Sequence, residues 1–379
     1  MIKYIIYLIL LTNQILFVQA QEKNIVDSKS SLELIENNSI QIIDVTNTNI
    51  VAVNIDPDTN ISTNINVFDI EEKKEELFIE DGDFSVSNVF RALLSVYPNI
   101  VQKVSDLENP HYPDLAINVR GTNFYNVNGR FLPEEERKNW KHFSSNTVYF
   151  YPKEIPNPKT RTKAEIALIK KQSSKHYRRA RKPTYYGFNQ ALYGMSSLSD
   201  TNTQIMKGYF LGKQVLIHQF AYEALKQVEI EIYALTNDDL YKKEVNKFLK
   251  EGTIVYSFFW RTIAGSKSRS LHSYGVAVDI LEENSIKAIY WLWRQNLKID
   301  WVREPISVRW NPPNSVVQIF EKYGFIWGGK WNFYDTMHFE YKPEILLLNG
   351  YDVILLSQQR IPVLIEKLSD QIEEENTNI

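Results

Sequence analysis

The clearest alternation of apolar with small or polar positions lies between residues 275 and 280. Branched side chains there alternate with two small residues and one acid, in the order Gly275, Val276, Ala277, Val278, Asp279 and Ile280. A period of two is that of a β-strand. We therefore predict a short strand that turns its branched residues into a core and Asp279 to the other face, with space beside the carboxylate.

Apolar residues at helical spacing predict four helices. They lie at residues 84–97, 220–232, 286–295 and 316–323. The first should end before Pro98. The last is expected to begin at a cap formed by Asn314 and Ser315 and to end at Gly324.

Clusters of aromatic and β-branched residues predict strands in three further places. They are residues 111–151, 210–218 and 254–260, of which the second is a strand or a turn. Gly121, Gly129 and Pro133 divide the first cluster into several strands and turns. The third cluster carries Arg261 at its end, eleven residues before His272.

The first 20 residues bear on where the protein acts. Lys3 precedes an apolar run from Tyr4 to Phe17, and Val-Gln-Ala follows at residues 18–20, a pattern typical of an export signal. We expect cleavage after Ala20 and a periplasmic or cell-envelope location, with an uncleaved membrane anchor as the alternative. The chain has no cysteine, which excludes a lipid anchor on cysteine, and its net charge of −3 favours neither nucleic acid nor an anionic membrane.

Metal-binding side chains surround the predicted strand. His272 stands on a predicted loop before it, Asp279 lies in it, and His338 occurs downstream. Imidazole nitrogen and carboxylate oxygen are common zinc ligands. The motif Ser-x-His-x-x-Gly-x-Ala-x-Asp from Ser270, followed by Trp-Gly-Gly-x-Trp from Trp327 and by Asp-x-x-His-Phe, resembles the VanY-like D-alanyl-D-alanine carboxypeptidase family of zinc metallopeptidases.

The resemblance implies an α+β fold with a small, mainly antiparallel sheet packed by helices, and an N-terminal extension. It also implies one zinc ion per chain, bound by His272, Asp279 and His338. Three protein ligands leave a fourth position for water. A zinc-containing binding module of hedgehog type shares this fold, so a non-catalytic role is the alternative from another class.

The catalytic groups that the resemblance implies are Asp335 and Arg261. Asp335 would act as the general base, and Glu340, on the same strand face as His338, is the alternative base. Arg261 would bind the scissile carbonyl or a peptide carboxylate. The structural alternatives are that Asp335 caps a turn and that Arg261 only neutralises Asp279.

Substrate contacts are expected from Ser270, Trp327 and Trp331. Ser270 would bind substrate or the loop backbone, and the two tryptophans would either wall the groove or belong to the core. The two glycines between them, at 328 and 329, would let a peptide or the metal loop approach closely. The predicted function is hydrolysis of peptidoglycan stem peptides by an exported D-alanyl-D-alanine carboxypeptidase, with an L-to-D endopeptidase on the same stems as the alternative.

The predicted organisation has five parts. They are an export signal at 1–20, a low-complexity tether at 21–82, an accessory part of the peptidase region at 83–205, the zinc peptidase domain at 206–350, and a helix with a polar tail at 351–379. The Ile and Val content of the predicted tether gives an alternative interpretation, a small strand-rich module. The basic run at 175–182 is expected to be a solvated face, with anionic wall polymers as the alternative contact. Four histidines outside the motifs are expected at the surface or in hydrogen bonds, namely His111, His142, His176 and His218.

Overall fold

The computed structural model describes residues 84–107, 115–145, 148–250, 253–263, 266–282 and 289–356 of the chain. These residues all lie in one unit that spans residues 74–379. The predicted export signal, the predicted tether and the tail after residue 356 lie outside the described residues. Within the described part, no helix combines the length and the apolar character needed to cross a membrane.

Helices and short strands alternate along the described part of the chain. The α-helices are α1 (Val86–Val96), α2 (Lys163–Ser173), α3 (Lys175–Ala180), α4 (Tyr186–Tyr193), α5 (Thr201–Gln204), α6 (Gln219–Ala234), α7 (Lys242–Lys250), α8 (Trp291–Asn296), α9 (Asn314–Lys322) and α10 (Pro343–Leu348). The strands are β1 (Val101–Lys103), β2 (Ala116–Val119), β3 (Thr122–Val127), β4 (Arg130–Leu132), β5 (Ile205–Phe210), β6 (Lys213–His218), β7 (Thr253–Tyr256), β8 (Ala277–Glu282), β9 (Phe325–Trp327) and β10 (His338–Tyr341). This mixture confirms the predicted α+β class.

The strands form three antiparallel sheets. Their orders are β1-β2-β3-β4, β5-β6 and β7-β8-β10-β9. The third sheet has β8 and β10 at its centre, and their register places His338 directly opposite Asp279. The predicted strand at 275–280 is therefore confirmed as β8, which begins two residues later than expected.

The first sheet follows the turn signals of its sequence. Gly121 and Gly129 have φ angles of +87° and +75°, a region that glycine adopts without strain, and they connect β2, β3 and β4 by tight turns. The prediction of strands was wrong for residues 134–142, which form a 3₁₀ helix. Three glutamates stand in its first turn, where carboxylates favour a helix because its N-terminus is positive.

Two of the predicted helices agree closely with the structure. The first is α1, which ends two residues before Pro98, and the second is α6, which extends a little beyond the predicted 220–232. Helix α6 buries the apolar residues on which its prediction was based, namely Ala221, Leu225, Val228 and Ile232. The hairpin of β5 and β6 precedes α6, as the prediction for 210–218 required.

The other two helices differ from their predictions. The helix predicted at 286–295 begins only at Trp291, as α8, and residue 290 is not helical. Residues 289–291 instead pair with the segment before β10, where the Thr336 amide donates to the Ile289 carbonyl (2.9 Å). Helix α9 has no side-chain cap, and the Ser315 hydroxyl instead donates to Glu244 (3.0 Å). Gly324 does end that helix, with a φ of +89°.

The largest of three apolar clusters among the described residues joins the two parts of the predicted peptidase region. It includes Phe90 of α1, Val228 of α6 and Phe339 of β10, all fully buried. Helix α9 covers the back of the third sheet, and its Phe320 ring stacks on Phe339 at 3.9 Å between centroids. The accessory part and the part that carries the site are therefore held against each other, while the domain boundary at 205–206 stays a prediction.

Candidate metal centre

The three predicted ligands come from neighbouring backbone segments. Asp279 and His338 face each other across β8 and β10. His272 lies in a 3₁₀ helix, Leu271–Tyr274, rather than on the predicted loop. Gly275, with a φ of +66°, turns the chain from this helix toward β8, and a Cβ on it would lie 2.9 Å from the His218 amide nitrogen. Only glycine fits that turn without strain.

Alternation along the two strands decides which side chains reach the centre. Val278 and Phe339 face the core and are fully buried. Their neighbours Asp279 and His338 therefore project from the opposite face of the sheet. The stacking of Phe339 on Phe320 holds this register, and a slip of one residue would move His338 to the core side.

The donor atoms of the three side chains converge on one point. The Nε2 atom of His272 lies 3.2 Å from the Asp279 Oδ1 atom and 3.2 Å from the His338 Nδ1 atom. The last two atoms are 2.7 Å apart, and all three residues are buried. A tetrahedral zinc ion with bonds of about 2.0–2.2 Å places its donors roughly 3.3–3.6 Å apart. A small expansion of this cluster therefore accommodates one ion.

The outer hydrogen bonds of the imidazoles determine which ring nitrogens carry protons. The His272 Nδ1–H group donates to the Ser257 carbonyl oxygen (2.5 Å), and the His338 Nε2–H group donates to Glu340 (2.9 Å). These bonds leave the inner nitrogens free as lone-pair donors. When both imidazoles are neutral, these two nitrogens and the Asp279 carboxylate face one another without a proton between them, so the cluster fits a cation.

The electrostatics of the cluster also call for positive charge. Burial alone would raise the pKa of Asp279, but the His272 and His338 imidazoles lower it far below its usual value. Burial alone would lower the pKa of His338, but the Asp279 and Glu340 carboxylates raise it well above its usual value. The two carboxylates lie on opposite sides of the His338 ring and favour its positively charged form. A metal ion bound between His338 and Asp279 would take the place of that positive charge.

Asp335 is held beside the cluster by its own backbone. Its amide donates to the Gly328 carbonyl (3.0 Å), and its carbonyl accepts a hydrogen bond from the His338 amide (3.2 Å). A Cβ on Gly328 would lie 2.5 Å from the Asp335 carbonyl oxygen. The close approach that Gly328 permits is therefore that of the metal-site loop, one of the two alternatives that the sequence left open.

The Asp335 carboxylate is poised for proton transfer. Its Oδ1 atom is buried, and among the residues that the structure describes none hydrogen-bonds to it. Burial raises the pKa of Asp335 to about 7, with His338 opposing the rise and Asp279 adding to it. A carboxyl group with such a pKa can accept and return a proton near neutral pH.

Arg261 lies beyond a strand rather than at its end, because β7 stops at Tyr256. The Ser273 hydroxyl accepts a hydrogen bond from the Arg261 amide (2.8 Å) and donates to the Arg261 carbonyl (2.7 Å). The side chain of Arg261 is exposed, and its charge lowers the pKa of Asp335. The guanidinium Nη1 atom donates to the Thr262 carbonyl (3.3 Å). Ser273 holds the backbone of Arg261, a role that the motif did not indicate.

Ser270 is buried and takes part in the same loop. Its amide donates to the Arg261 carbonyl (3.1 Å), and its carbonyl accepts from the Ser273 amide (3.0 Å). These are contacts of the Ser270 backbone, and the two predicted roles of its hydroxyl stay predictions.

The two tryptophans have different environments. Trp327 is 1% exposed, and its indole N–H donates to the Thr336 carbonyl (2.8 Å). The prediction that it contacts substrate was therefore wrong, because its strand position turns the ring into the core. Trp331 is partly exposed, and its ring centroid lies 5.7 Å from that of His338. Its role as a groove wall stays a prediction.

Tyr290 is a site residue that sequence analysis missed. It forms a β-bridge with Asp335. Burial raises the pKa of its hydroxyl and Asp335 raises it further, whereas Arg178 and Arg261 lower it. The helical spacing of the surrounding residues concealed this extended position, and no sequence signal pointed to it.

The histidines outside the motifs have the predicted environments where the structure describes them. His218 is buried, with hydrogen bonds to the Tyr193 carbonyl (2.8 Å) and from the Phe220 amide (3.1 Å). His142 and His176 are exposed, and His111 lies outside the described residues. The basic run at 175–182 is mostly exposed and begins with helix α3.

Comparison with known proteins agrees with the motif resemblance. Residues 264–341, about a fifth of the chain, match the model of a family described as D-alanyl-D-alanine carboxypeptidase. This segment contains every predicted site residue except Arg261, and the match indicates a hydrolase of the peptidase class. No curated protein and no solved structure matches the chain.

Proposed function

We propose that the protein is an exported zinc metallopeptidase that hydrolyses peptidoglycan stem peptides as a D-alanyl-D-alanine carboxypeptidase. The observation that carries the proposal is the convergence of three lone-pair donors beside the Asp335 carboxyl group. His272, Asp279 and His338 would hold one zinc ion. When bound, zinc supplies Lewis-acid activation of water and of the scissile carbonyl.

Asp335 supplies the proton transfers in this proposal. Its carboxylate accepts a proton from the attacking water, and the same carboxyl group then donates a proton to the leaving amine. Its pKa of about 7 suits both steps. The unpartnered Oδ1 atom supports this role over that of a turn cap, because the turn is held by the backbone of Asp335 rather than by its carboxylate.

Glu340 orients a ligand in this proposal and is not the base. Its carboxylate accepts from the Nε2 atom of His338, while the Nδ1 atom of the same ring faces Asp279. The ring therefore stands between Glu340 and the place of the reaction. A carboxylate on the outer nitrogen of a metal-binding histidine holds the tautomer and the orientation of the ring.

Arg261 would bind the peptide. Its guanidinium is exposed, and no carboxylate forms an ion pair with it in the described part of the chain. The alternative, neutralisation of Asp279, would need such an ion pair with the Asp279 carboxylate, which contacts His272 and His338 instead. A planar guanidinium matches a carboxylate through two parallel hydrogen bonds, which favours a peptide with a free C-terminus.

Two observations favour an enzyme over a zinc-containing binding module. A purely structural zinc is normally closed by a fourth protein ligand, whereas this cluster has three among the residues that the structure describes. It also has an acid of raised pKa beside it, which a structural site does not require. The stem-peptide substrate is supported by the family description of residues 264–341 and export by the pattern of residues 1–20.

The test is incubation of the purified protein with defined muropeptides, with and without a chelator, followed by mass measurement of the products. We expect zinc-dependent loss of the mass of one D-alanine. Release of a larger fragment would indicate an endopeptidase instead. If the protein binds one zinc ion per chain but forms no product, the result would favour the non-catalytic, zinc-containing binding module.

A further inference from the structure

The basic helix of the accessory part reaches the metal-site region. Arg178 lies in α3, inside the basic run, and its guanidinium carbon is 5.5 Å from the centroid of the Trp291 ring. Trp291 begins α8 and follows Tyr290 directly, with 5.9 Å between their ring centroids. Tyr290 in turn pairs with Asp335 through a β-bridge. Arg178 is thus connected to the candidate base through two aromatic residues.

Packing holds Arg178 in this position. Its Nε–H group donates to the Ser173 carbonyl (3.1 Å), and the same carbonyl accepts from the Gln295 side chain of α8 (3.3 Å). A small core beneath, formed by Ile166 and Ile169 of α2 with Trp291, Trp301, Val302 and Tyr334, fastens the accessory helices to the segment before Asp335. The Arg178 guanidinium is therefore held in place by these contacts, unlike that of a freely moving surface arginine.

The two terminal nitrogens of Arg178 are available to a ligand. In the described ranges, its side chain makes no hydrogen bond beyond that of Nε, and no carboxylate pairs with it. Arg261 comes from a different segment, where its backbone is held at 2.8 Å and 2.7 Å by the hydroxyl of Ser273, the neighbour of the ligand His272. In agreement with this placement, the charges of both arginines lower the pKa of the Tyr290 hydroxyl. Tyr290 pairs with Asp335, Arg178 packs on the adjoining Trp291, and Arg261 belongs to the loop held by Ser273. Two guanidinium groups and one phenol are thus carried by the segments around Asp335.

We propose that Arg178, Tyr290 and Arg261 form the subsite for the C-terminal carboxylate of the peptide, with Arg178 as a specificity-determining residue from outside the family-matched segment. The inference rests on the proposed function. Asp335 protonates the leaving amine, so the residue that departs lies next to it. In a carboxypeptidase substrate the departing residue carries the terminal carboxylate on its Cα, and donors beside Asp335 are placed to bind that group.

The proposal distinguishes between the two hydrolytic activities. An endopeptidase meets an amide at this position, and an amide has no negative charge to match two guanidinium groups. A cationic subsite on the leaving-group side therefore favours a carboxypeptidase. Hydrogen bonds to charged groups contribute about 1.5–3 kcal/mol each, so loss of one should weaken binding of the peptide acid by roughly 10-fold or more.

The binding experiment uses the full-length, zinc-loaded protein with Asp335→Asn as the background, in which hydrolysis should be about 10²–10⁴-fold slower. Calorimetry would give the Kd of N-acetyl-L-Lys-D-Ala-D-Ala as the free acid and as the C-terminal amide. We expect the acid to bind at least about 10-fold more tightly. Arg178→Gln should remove roughly 10-fold of affinity for the acid and leave the amide unchanged. Arg179→Gln is the matched control, because Arg179 is exposed on the same short helix, and it should change neither Kd.

Two further variants separate the contact from a disturbed helix. Arg178→Lys keeps the charge and loses the planar fork, so it should recover only part of the preference for the acid. Tyr290→Phe leaves α3 untouched and should also reduce the preference. Equal binding of acid and amide, or a preference that survives both Arg178→Gln and Tyr290→Phe, would overturn the subsite.

Hydrolysis by the otherwise unaltered protein tests the proposed function separately. If the protein cleaves neither peptide while acid-selective binding still depends on Arg178, the peptidase proposal fails and the carboxylate subsite stands. If it cleaves both peptides equally well and Arg178→Gln has no effect, the peptidase stands and the subsite fails.

Discussion

Glu340→Ala separates the two roles that a second carboxylate near the metal can have. In the structure the Glu340 carboxylate accepts a hydrogen bond from the Nε2–H group of His338 (2.9 Å). The Glu340 side chain is largely buried, with 18% of its surface exposed. Removing the carboxylate leaves this Nε2–H group without its acceptor. The ring can then carry its proton on Nδ1, the atom that faces Asp279 and the metal position.

The magnitude follows from this one hydrogen bond. A hydrogen bond in which one partner is charged contributes about 1.5–3 kcal/mol, which corresponds to roughly 10–150-fold in a dissociation constant. Loss of such outer carboxylates typically costs about 10–100-fold in metal affinity. We therefore expect Glu340→Ala to raise the Kd for zinc by roughly 10–100-fold. Turnover at saturating zinc should stay within about 10-fold of the wild type, because Asp335 is still present.

The assay is a zinc titration in competition with a chromophoric chelator, followed by kcat measurements at saturating zinc. Glu340→Gln is the control, since its amide oxygen can still accept from Nε2 while the charge is lost, and it should fall between the wild type and Glu340→Ala. Unchanged zinc affinity together with a fall in kcat of more than about 100-fold would refute the reasoning and make Glu340 the base.

Four further substitutions test other parts of the site. His338→Ala should abolish stoichiometric zinc, which metal analysis of the purified protein would check; wild-type zinc content would mean that the ligand set is wrong. Asp335→Asn should keep zinc and fold while losing about 10²–10⁴-fold in kcat, and near-wild-type turnover would remove it as the base. Arg261→Lys should lower kcat/KM on D-Ala-D-Ala-terminated peptides by roughly 10-fold or more with zinc content unchanged; equal cleavage of all-L peptides by the wild type would end the stem-peptide proposal. Gly328→Ala should lower the free energy of unfolding by about 1–3 kcal/mol in a denaturant titration, because its Cβ would lie 2.5 Å from the Asp335 carbonyl oxygen, and an unchanged midpoint would show that the loop yields freely.

The ligand strand could be predicted because a period of two is visible in a single segment. Val278 and Asp279 were assigned to opposite faces of β8 on that basis, and burial of the first and convergence of the second with the histidines agree. The pairing of β8 with β10 is different, since Asp279 and His338 are 59 residues apart. Residue patterning does not contain that register. The motif resemblance indicated only that the two residues bind the same metal, and the structure supplies the register.

Other features required the tertiary structure because each sequence pattern allowed two environments. Trp327 ends a three-residue strand, too short for alternation to decide between core and groove, and its contact with the Thr336 carbonyl decides it. Tyr290 directly precedes helix α8, so the helical spacing of the neighbouring apolar residues led to a helix prediction that included it. In the structure it pairs with Asp335 instead. Ser273 acts through a hydroxyl bound to the Arg261 backbone, a contact across twelve residues that no local pattern encodes.

Selectivity for a substrate has to come from outside the metal cluster itself. A metal ion with a general base can hydrolyse any amide that reaches it, so the groups around the scissile bond decide which peptides react. Both arginines near Tyr290 lie outside the family-matched residues 264–341, one shortly before it and the other in α3. A match confined to the metal segment therefore indicates the reaction class without the substrate. The accessory helices, docked through Trp291 and Tyr334 onto the segment before Asp335, are where a preference for a peptide carboxylate would be encoded, and changes in α3 should alter specificity while leaving zinc binding intact.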